Sequence, residues 1–368
     1  MEETPRAECR AVPKPVLSQL EGPARIPSGD RSRYAADKGL KVLLVKLSSL
    51  GDVVHAMPVV HDIRVAFPHV SIDWVVEPGF APLVRRVDGI AETIECALRR
   101  WSKGWWRAEV RAEWRAFRTR LKREQYDAVI DLQGLTKSAL IARTARGVSY
   151  GLANRTDGAS HEAPARWLVD HAIRIEPRVH ALDRSRMLAA RALGYPLRGA
   201  PQFGLRAHPA ADAQSHDTIV FVHGTSRDDK LWPEAAWIEI GRRLIAQGQR
   251  IALPHAGPVE LERARRIAAA LGDAAAVWPA MSLDAIVDRL GGVAGVIGVD
   301  SGLSHVAVAL DLPHVQIYNF PTAWRTGPQP EHGHRHQVSV QAQPAPAVDA
   351  VWSAWQTVEQ AVKQAVPR

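Results

Sequence analysis

A chain of 368 residues with 46% hydrophobic residues has the length and apolar content of about two ordinary domains, and its net charge of +8 points to an anionic partner. Its two cysteines, Cys9 and Cys96, stand in no metal-type or redox-type spacing, so neither a zinc site nor a disulfide framework is expected. No apolar run reaches the ~18 to 20 residues of a spanning helix and the N-terminal segment lacks the apolar centre of a signal peptide, which leads us to expect a cytoplasmic protein, at most peripheral to a membrane.

Residues 1–38 carry Pro, Arg and Glu without a stable apolar period and read as a flexible extension. From Lys41 the buried-type run KVLLV leads into Ser-Ser-Leu-Gly-Asp, and a helical pattern follows at once. Asp52 is thereby placed at the carboxyl end of the first strand of an α/β sheet, where open parallel sheets bind ligands. A carboxylate there is a candidate general base; the plainer reading is a helix cap, since Asp, Ser and Gly are ordinary in such turns. A helix over 59–66, the strand SIDWVV and a helix over 80–87 come next. Between Arg99 and Glu124 ten Lys or Arg stand against three Glu, with Trp101, Trp105, Trp106, Trp114 and Phe117 interleaved. Such a segment suits nucleic acid, a membrane surface or a phosphorylated lipid, or is a solvated helix face. YDAVIDLQG then reads as a strand, and 198–217, rich in Pro, Gly and Ala without a period, as the linker.

The alternation resumes with TIVFVHG, a helix over 233–246, RIALPHAG, a helix over 259–271, AVWPA, a helix from Ser282, VIGVD, a helix and HVQIYN. The second half repeats the first. This predicts two Rossmann-like domains, 39–200 and 217–345, facing across a cleft. A helix in 346–368 has the option of packing back onto the first, which its sequence alone does not decide. In HGTSRDDKLWP, Thr225 and Ser226 offer hydroxyls and amides and Lys230 a mobile cation, a set that suits a nucleotide diphosphate. GVIGVDSGLSHVAVAL delivers Asp300 into a turn and then a helix whose N-terminus favours phosphate. Ser301 adds a hydroxyl, Gly302 leaves room for close approach, and His305 sits in the first turns. Neither GxxxxGK[ST] nor GxGxxG follows either first strand, which weighs against P-loop NTPases and against nicotinamide or flavin dehydrogenases. A strand-end DxD is also missing, and Asp228-Asp229 reads as ordering the turn around Lys230, so no metal is required.

In this order SSLGDVVHAMP, DWVVEPGFAPL, Arg99-Arg100-Trp101, YDAVIDLQGLTKSAL, TSRDDKLWP, PAMSL and VDSGLSH resemble the lipopolysaccharide heptosyltransferases, the type I branch more than type II. The resemblance runs from about Lys41 to the C-terminal helix. It implies an α/β fold of the GT-B type, two Rossmann-like domains facing across a cleft. It also implies an inverting transfer of L-glycero-D-manno-heptose from ADP-L-glycero-beta-D-manno-heptose to the Kdo region of Kdo-lipid A. No cofactor beyond the donor and no nucleic acid are expected, and the place of work would be the anionic cytoplasmic face of the inner membrane. Carried over by motif, Asp52 is the base; Thr225, Ser226 and Lys230 hold the diphosphate, with Lys230 also stabilising departing ADP. Glu260 would serve ribose hydroxyls and Met281 adenine, and Asp300, Ser301, Gly302 and His305 complete the donor site. Ser49, Arg99, Arg100, Lys103 and Lys137 are the acceptor candidates. Plainer readings stand beside these: Glu260 as a first-turn helix carboxylate, Met281 as core, His305 packed on its own helix. The chain departs from the pattern at Tyr318-Asn319-Phe320-Pro321-Thr322, where relatives tend to have a Tyr-Gly-Pro-Thr-like turn, and matches it only loosely over 153–166. The competing expectations are a type II-like enzyme adding a later core heptose, and a basic protein that binds nucleic acid or a membrane surface, which would leave the second-half phosphate loops without a role.

Overall fold

Apolar, β-branched runs alternating with amphipathic helices build two parallel sheets in a computed structural model that describes residues 39–209 and 215–365. The expected N-terminal extension lies outside the described residues. The first sheet contains β1 (Lys41–Val45), β2 (Ser71–Val76), β3 (Ile90–Glu95), β4 (Gln125–Asp131), β5 (Arg146–Leu152) and β6 (His171–Ile173). The second contains β7 (Ser215–Val222), β8 (Arg250–Leu253), β9 (Ala275–Val277), β10 (Val293–Val299), β11 (His314–Tyr318) and β12 (Gln337–Gln341). Their orders, β3-β2-β1-β4-β5-β6 and β12-β11-β10-β7-β8-β9, are the same doubly wound arrangement used twice.

The helices longer than one turn are α1 (Leu50–Ala56), α2 (Pro58–Ala66), α3 (Ala108–Leu121), α4 (Thr136–Thr144), α5 (Ala181–Leu193), α6 (Glu234–Ala246), α7 (Pro258–Leu271), α8 (Leu283–Leu290), α9 (Gly302–Ala309) and α10 (Val348–Ala365). In the first half, alternate strand residues Leu43, Val45 and Val129 pack against Phe117 and Leu121 of α3 and Ile141 of α4. Reversal of the winding direction after β3 sends α1, α2 and α5, which pack on one another, to the opposite face. The basic helix α3 is thus half of an ordinary sheet cover: its apolar stripe is buried, Arg111, Arg115 and Arg118 are exposed, and Arg120 pairs with Glu92 of β3.

The C-terminal helix corrects one expectation. Val351, Ala354, Trp355 and Val358 recur at helical spacing on one stripe of α10, and that stripe packs on β11, β12 and α6 to complete the second core, so the helix does not cross back. Other elements join the halves. α1 meets α9, the single-turn helix Ala81–Val84 meets α8, and the single-turn helix Ala323–Thr326 meets α5. Beside the second of these contacts Arg86 reaches Asp284 at 2.8 Å and forks onto Asp288 at 2.5 and 2.8 Å. The segment read as linker also touches this corner, since the Arg206 amide donates to the Arg86 carbonyl at 3.1 Å.

Candidate active site

In a doubly wound sheet the strand order reverses between two central strands, and the loops leaving their carboxyl ends diverge to leave a crevice. Those strands are β1 and β4 in the first half and β7 and β10 in the second. The four loops leaving them line one cleft of about 750 Å³. It brings together Ser49, Asp52, Lys137, Thr225, Ser226, Lys230, Glu260, Asp300, Ser301, Gly302 and His305.

Asp52 takes the capping role that its turn allows, and it also lines the cleft. One carboxylate oxygen accepts from the Ser49 amide at 3.2 Å and the Ser49 hydroxyl at 2.9 Å, which fixes the start of α1. The other lies 3.5 Å from Lys46 Nζ and 3.9 Å from Arg184 Nη2, and the side chain remains 41% exposed to the cleft. Burial opposes the charge on Asp52, but Lys46, the Ser49 hydrogen bonds and Arg184 outweigh it and hold the carboxyl well below the usual range. Lys46 itself is buried at the tail of the first strand, where burial pushes its ammonium down against the pull of Asp52, and it donates to the Leu132 carbonyl at 3.2 Å. The loop after β4 braces this turn. Gln133 Oε1 accepts from the Leu47 amide at 2.8 Å, and Asp131 accepts from the Gln133 amide at 2.9 Å and the Ser138 hydroxyl at 2.9 Å.

The second half presents its own aspartate. Asp300, at the end of β10, takes Lys230 Nζ at 2.6 Å on one oxygen and lies 3.5 Å from His305 Nε2 with the other. Burial again raises it, and His305 and then Lys230 overcome this to hold the carboxyl well below its ordinary value. The Thr225 hydroxyl donates to the Asp300 carbonyl at 3.1 Å, which ties the β7 loop to the β10 loop. Ser301 stands at the N-cap position of α9 without a side-chain cap hydrogen bond, and it lines the cleft with Gly302 and Leu303 of the first turn. Glu260 accepts from the Ala256 amide at 2.7 Å as a first-turn carboxylate, while a Cβ at Gly224 would meet its carboxyl group at 2.4 Å. The helix reading of Glu260 therefore holds, and the same carboxylate lines the cleft.

Two glycines set how closely the halves approach. A Cβ at Gly51 would lie 2.6 Å from the His305 ring, and one at Gly302 would lie 2.8 Å from the Leu50 side chain. His305 therefore does not pack only on its own helix: its ring centroid is 4.4 Å from that of His55 across the domain boundary.

Several expected residues stand elsewhere. Arg99, Arg100 and Lys103 do not line the cleft. The turn Leu98–Trp101 buries Trp101, which directs the neighbouring arginines to the surface, and Arg100 forks onto Glu113. Met281 also lies away from the lining, with its sulfur 3.9 Å from Arg289 Nη1. The departing segment has a definite task, for Asn319 Nδ2 donates at 3.0 Å to both the Asp229 and Leu231 carbonyls and so clamps the residues flanking Lys230. Sequence reasoning missed Lys46, Arg184 and Arg325 in the cleft. Only Lys46 left a local signal, a charged residue directly after an apolar strand.

Among the described residues one group has the spacing of metal ligands, His180, Asp183 and His332. His180 Nδ1 accepts from the Leu182 amide at 3.2 Å, so Nε2 carries the proton that it shares with the Gly327 carbonyl at 3.0 Å. Neither nitrogen has a free lone pair for a cation.

Comparison with known proteins identifies the fold and the family. The pattern of glycosyltransferase family 9 (heptosyltransferase) matches residues 114–354. Lipopolysaccharide heptosyltransferase 1 of Escherichia coli strain K12 is 41% identical over 286 residues, which is 76% of this chain and 88% of that protein. Lipopolysaccharide heptosyltransferase 2 of the same strain is 27% identical over 303 residues, covering 76% and 82%. The solved structure of E. coli heptosyltransferase WaaC with ADP-2-deoxy-2-fluoro heptose superposes with a TM-score of 0.72 at 36% identity, over 89% of this chain and 100% of that one. The two sheets facing across a cleft are thus the expected GT-B arrangement. The chain belongs to glycosyltransferase family 9, the heptosyltransferases.

Proposed function

We propose that this chain is an inverting heptosyltransferase of type I that moves heptose from ADP-heptose to the Kdo region of Kdo-lipid A. The observation that carries the reading is the shared cleft: a carboxylate from the first half, Asp52, and a cation from the second, Lys230, open into the same cavity. Donor diphosphate fits against Thr225, Ser226, Lys230 and the first amides of α9. The acceptor hydroxyl attacks the anomeric carbon from the face opposite the leaving ADP, the bond to the diphosphate oxygen breaks, and Asp52 receives the proton. A carboxylate stabilised by Lys46 and Arg184 is a weak base, so it takes the proton late, once bond formation has made the hydroxyl acidic. Lys230 meets more negative charge on departing ADP than on the intact donor, and that difference is what accelerates the step. Nothing in this sequence of events requires a metal.

Lipid A extends beyond the cleft, and the outer basic face suits its phosphates and the anionic bilayer around it. Among the described residues the large exposed apolar side chains include Trp105, Trp106, Leu140 and Trp167, all on the sheet face covered by α3, α4 and the turn Ala165–Leu168. Arg99, Arg100 and Lys103, exposed and just before Trp105 and Trp106 in the chain, add positive charge, which supports a peripheral seat on the cytoplasmic face of the inner membrane. The test is to incubate the purified protein with ADP-L-glycero-beta-D-manno-heptose and Kdo-lipid A and to weigh the product. One added heptosyl unit is the expected result. No transfer, or transfer only to an acceptor that already carries a heptose, would overturn the type I reading.

A further inference from the structure

Two arginines that line the cleft each have a buried guanidinium nitrogen without a partner among the described residues. Arg184 of α5 is 6% exposed. Its Nη1 donates to the Thr156 hydroxyl at 3.3 Å, its Nη2 stands 3.9 Å from Asp52, and its Nε has no partner among the described residues. Arg325 arrives from the second half on the turn Ala323–Thr326. Its Nη1 donates to the Gly158 carbonyl at 2.5 Å, and its buried Nε is likewise unpartnered. Both side chains line the cleft and hold the same loop, one residue apart on either side of Asp157.

Asp52 cannot balance this charge, because Lys46 already claims the same oxygen at 3.5 Å. Asp131 is no substitute: burial pushes its carboxyl up to about 6, and its oxygens are taken by Gln133, Gly134 and Ser138. Burial, and behind it the like charge of Arg325, works against the Arg184 guanidinium, with only Asp52 in its favour. A buried guanidinium with unused donors is costly unless an anion completes it, and planar forks match carboxylates and phosphates.

We infer that Arg184 and Arg325 form an anion subsite on the acceptor side of the cleft, which takes the carboxylate of a sugar-acid acceptor. The inference rests on the glycosyltransferase reading above. Location selects the acceptor over the donor. Arg184 stands beside the base that receives the acceptor's proton, whereas the diphosphate has Lys230, Thr225 and α9 for itself. One sugar ring then presents its carboxylate to the arginines and its hydroxyl to Asp52. The subsite exists only while the halves are together, since Arg325 belongs to a segment that crosses to the first half. Trp324 in that segment lies under Arg178 at 4.5 Å, and His332 meets Asp183 at 2.9 Å.

The experiment compares an acceptor bearing the free carboxylate with the same acceptor converted to its neutral amide, using wild-type protein, Arg325→Gln and Arg325→Lys, each checked for an unchanged melting curve. For the wild type, amidation raises the acceptor KM about 10- to 100-fold, the range of a charge-assisted contact. Arg325→Gln raises it by a similar factor on the acid and then gains less than about threefold more from amidation; Arg325→Lys keeps part of the discrimination. The donor KM stays within about twofold throughout. Loss of the Gly158 contact affects both acceptors alike and cancels from the ratio. Undiminished acid-over-amide discrimination in Arg325→Gln would overturn the inference, and so would a raised donor KM with an unchanged acceptor KM, which would assign the anion to the diphosphate. No transfer to the acid by the wild type would instead overturn the glycosyltransferase reading, and this inference with it.

Discussion

The two halves solve the same local problem differently. Each sends an apolar strand into a short turn, starts a helix and sets a lysine beside an aspartate, Asp52 in the first turn of α1 and Asp300 directly after β10. In the first half the lysine is the strand's own tail, 2% exposed, and its aspartate is 41% open to the cleft. In the second the order is reversed: Asp300 is 8% exposed, and Lys230 sits on a one-turn loop at 20%. A fixed cation with an open carboxylate suits a proton acceptor held in place. A fixed carboxylate with a movable cation suits a counter-charge that is handed over to a ligand. The difference suits the roles proposed above, acceptance of the proton in the first half and stabilisation of the leaving group in the second.

The largest effect should come from Asp52→Asn. The amide keeps the contact to Ser49 and loses the base, so turnover at saturating substrates should fall about 10²- to 10⁴-fold. Near-normal turnover would leave Asp52 as a helix cap alone. Lys230→Ala comes next, with a loss of about 10²-fold in kcat/KM for the donor, divided between the donor KM and kcat, because the ammonium acts more strongly on departing ADP than on the bound donor. A rise in KM at constant kcat would reduce Lys230 to a ground-state contact.

Lys46→Met sharpens the comparison through pH. The Asp52 carboxyl is held low, so its stabilising share is complete above the unfolded value of about 3.9 and is lost as pH falls through the folded one. Wild-type kcat/KM should therefore show no loss from Asp52 between pH 7 and pH 5. Removing the Lys46 charge lets the Asp52 value rise, and the acid limb of the profile should move to higher pH. An unmoved limb would detach Lys46 from the base. Gly302→Ala tests the meeting of α1 and α9: its Cβ would press on Leu50, and we expect a several-fold rise in both substrate KM values with little change in the melting temperature. Smallest of all is the triple change of Arg99, Arg100 and Lys103 to Gln. These side chains lie outside the cleft, and exposed charges are weak and screened. Transfer to a deacylated acceptor should stay within about twofold, while binding to anionic vesicles weakens.

What could be read from the sequence was whatever the chain carries locally. The strand-turn-helix at Asp52, its counterpart at Asp300 and the cation at Lys230 each lie within one short stretch, and the repeated alternation implied the doubly wound sheets. Arg184 and Arg325 were hidden because nothing near them in the chain marks a cleft; the packing of the turn Ala323–Thr326 on α5 creates their proximity. The place of Arg99, Arg100 and Lys103 outside the cleft was hidden for the converse reason. Charge and motif show that a segment is basic but not which side its arginines face, and here the burial of Trp101 decides that. The run after Tyr318 departs from the resembled pattern, yet Asn319 uses its side chain to hold the Lys230 loop, which only the coordinates reveal.

The division of labour is tested most directly by titrating ADP calorimetrically into Asp52→Asn. If the base belongs to one half and the nucleotide clamp to the other, the inactive variant should bind ADP within a few-fold of the wild-type Kd. A loss of ten-fold or more would show that Asp52 supports the nucleotide site as well, and would contradict the assignment of the two aspartates to separate tasks.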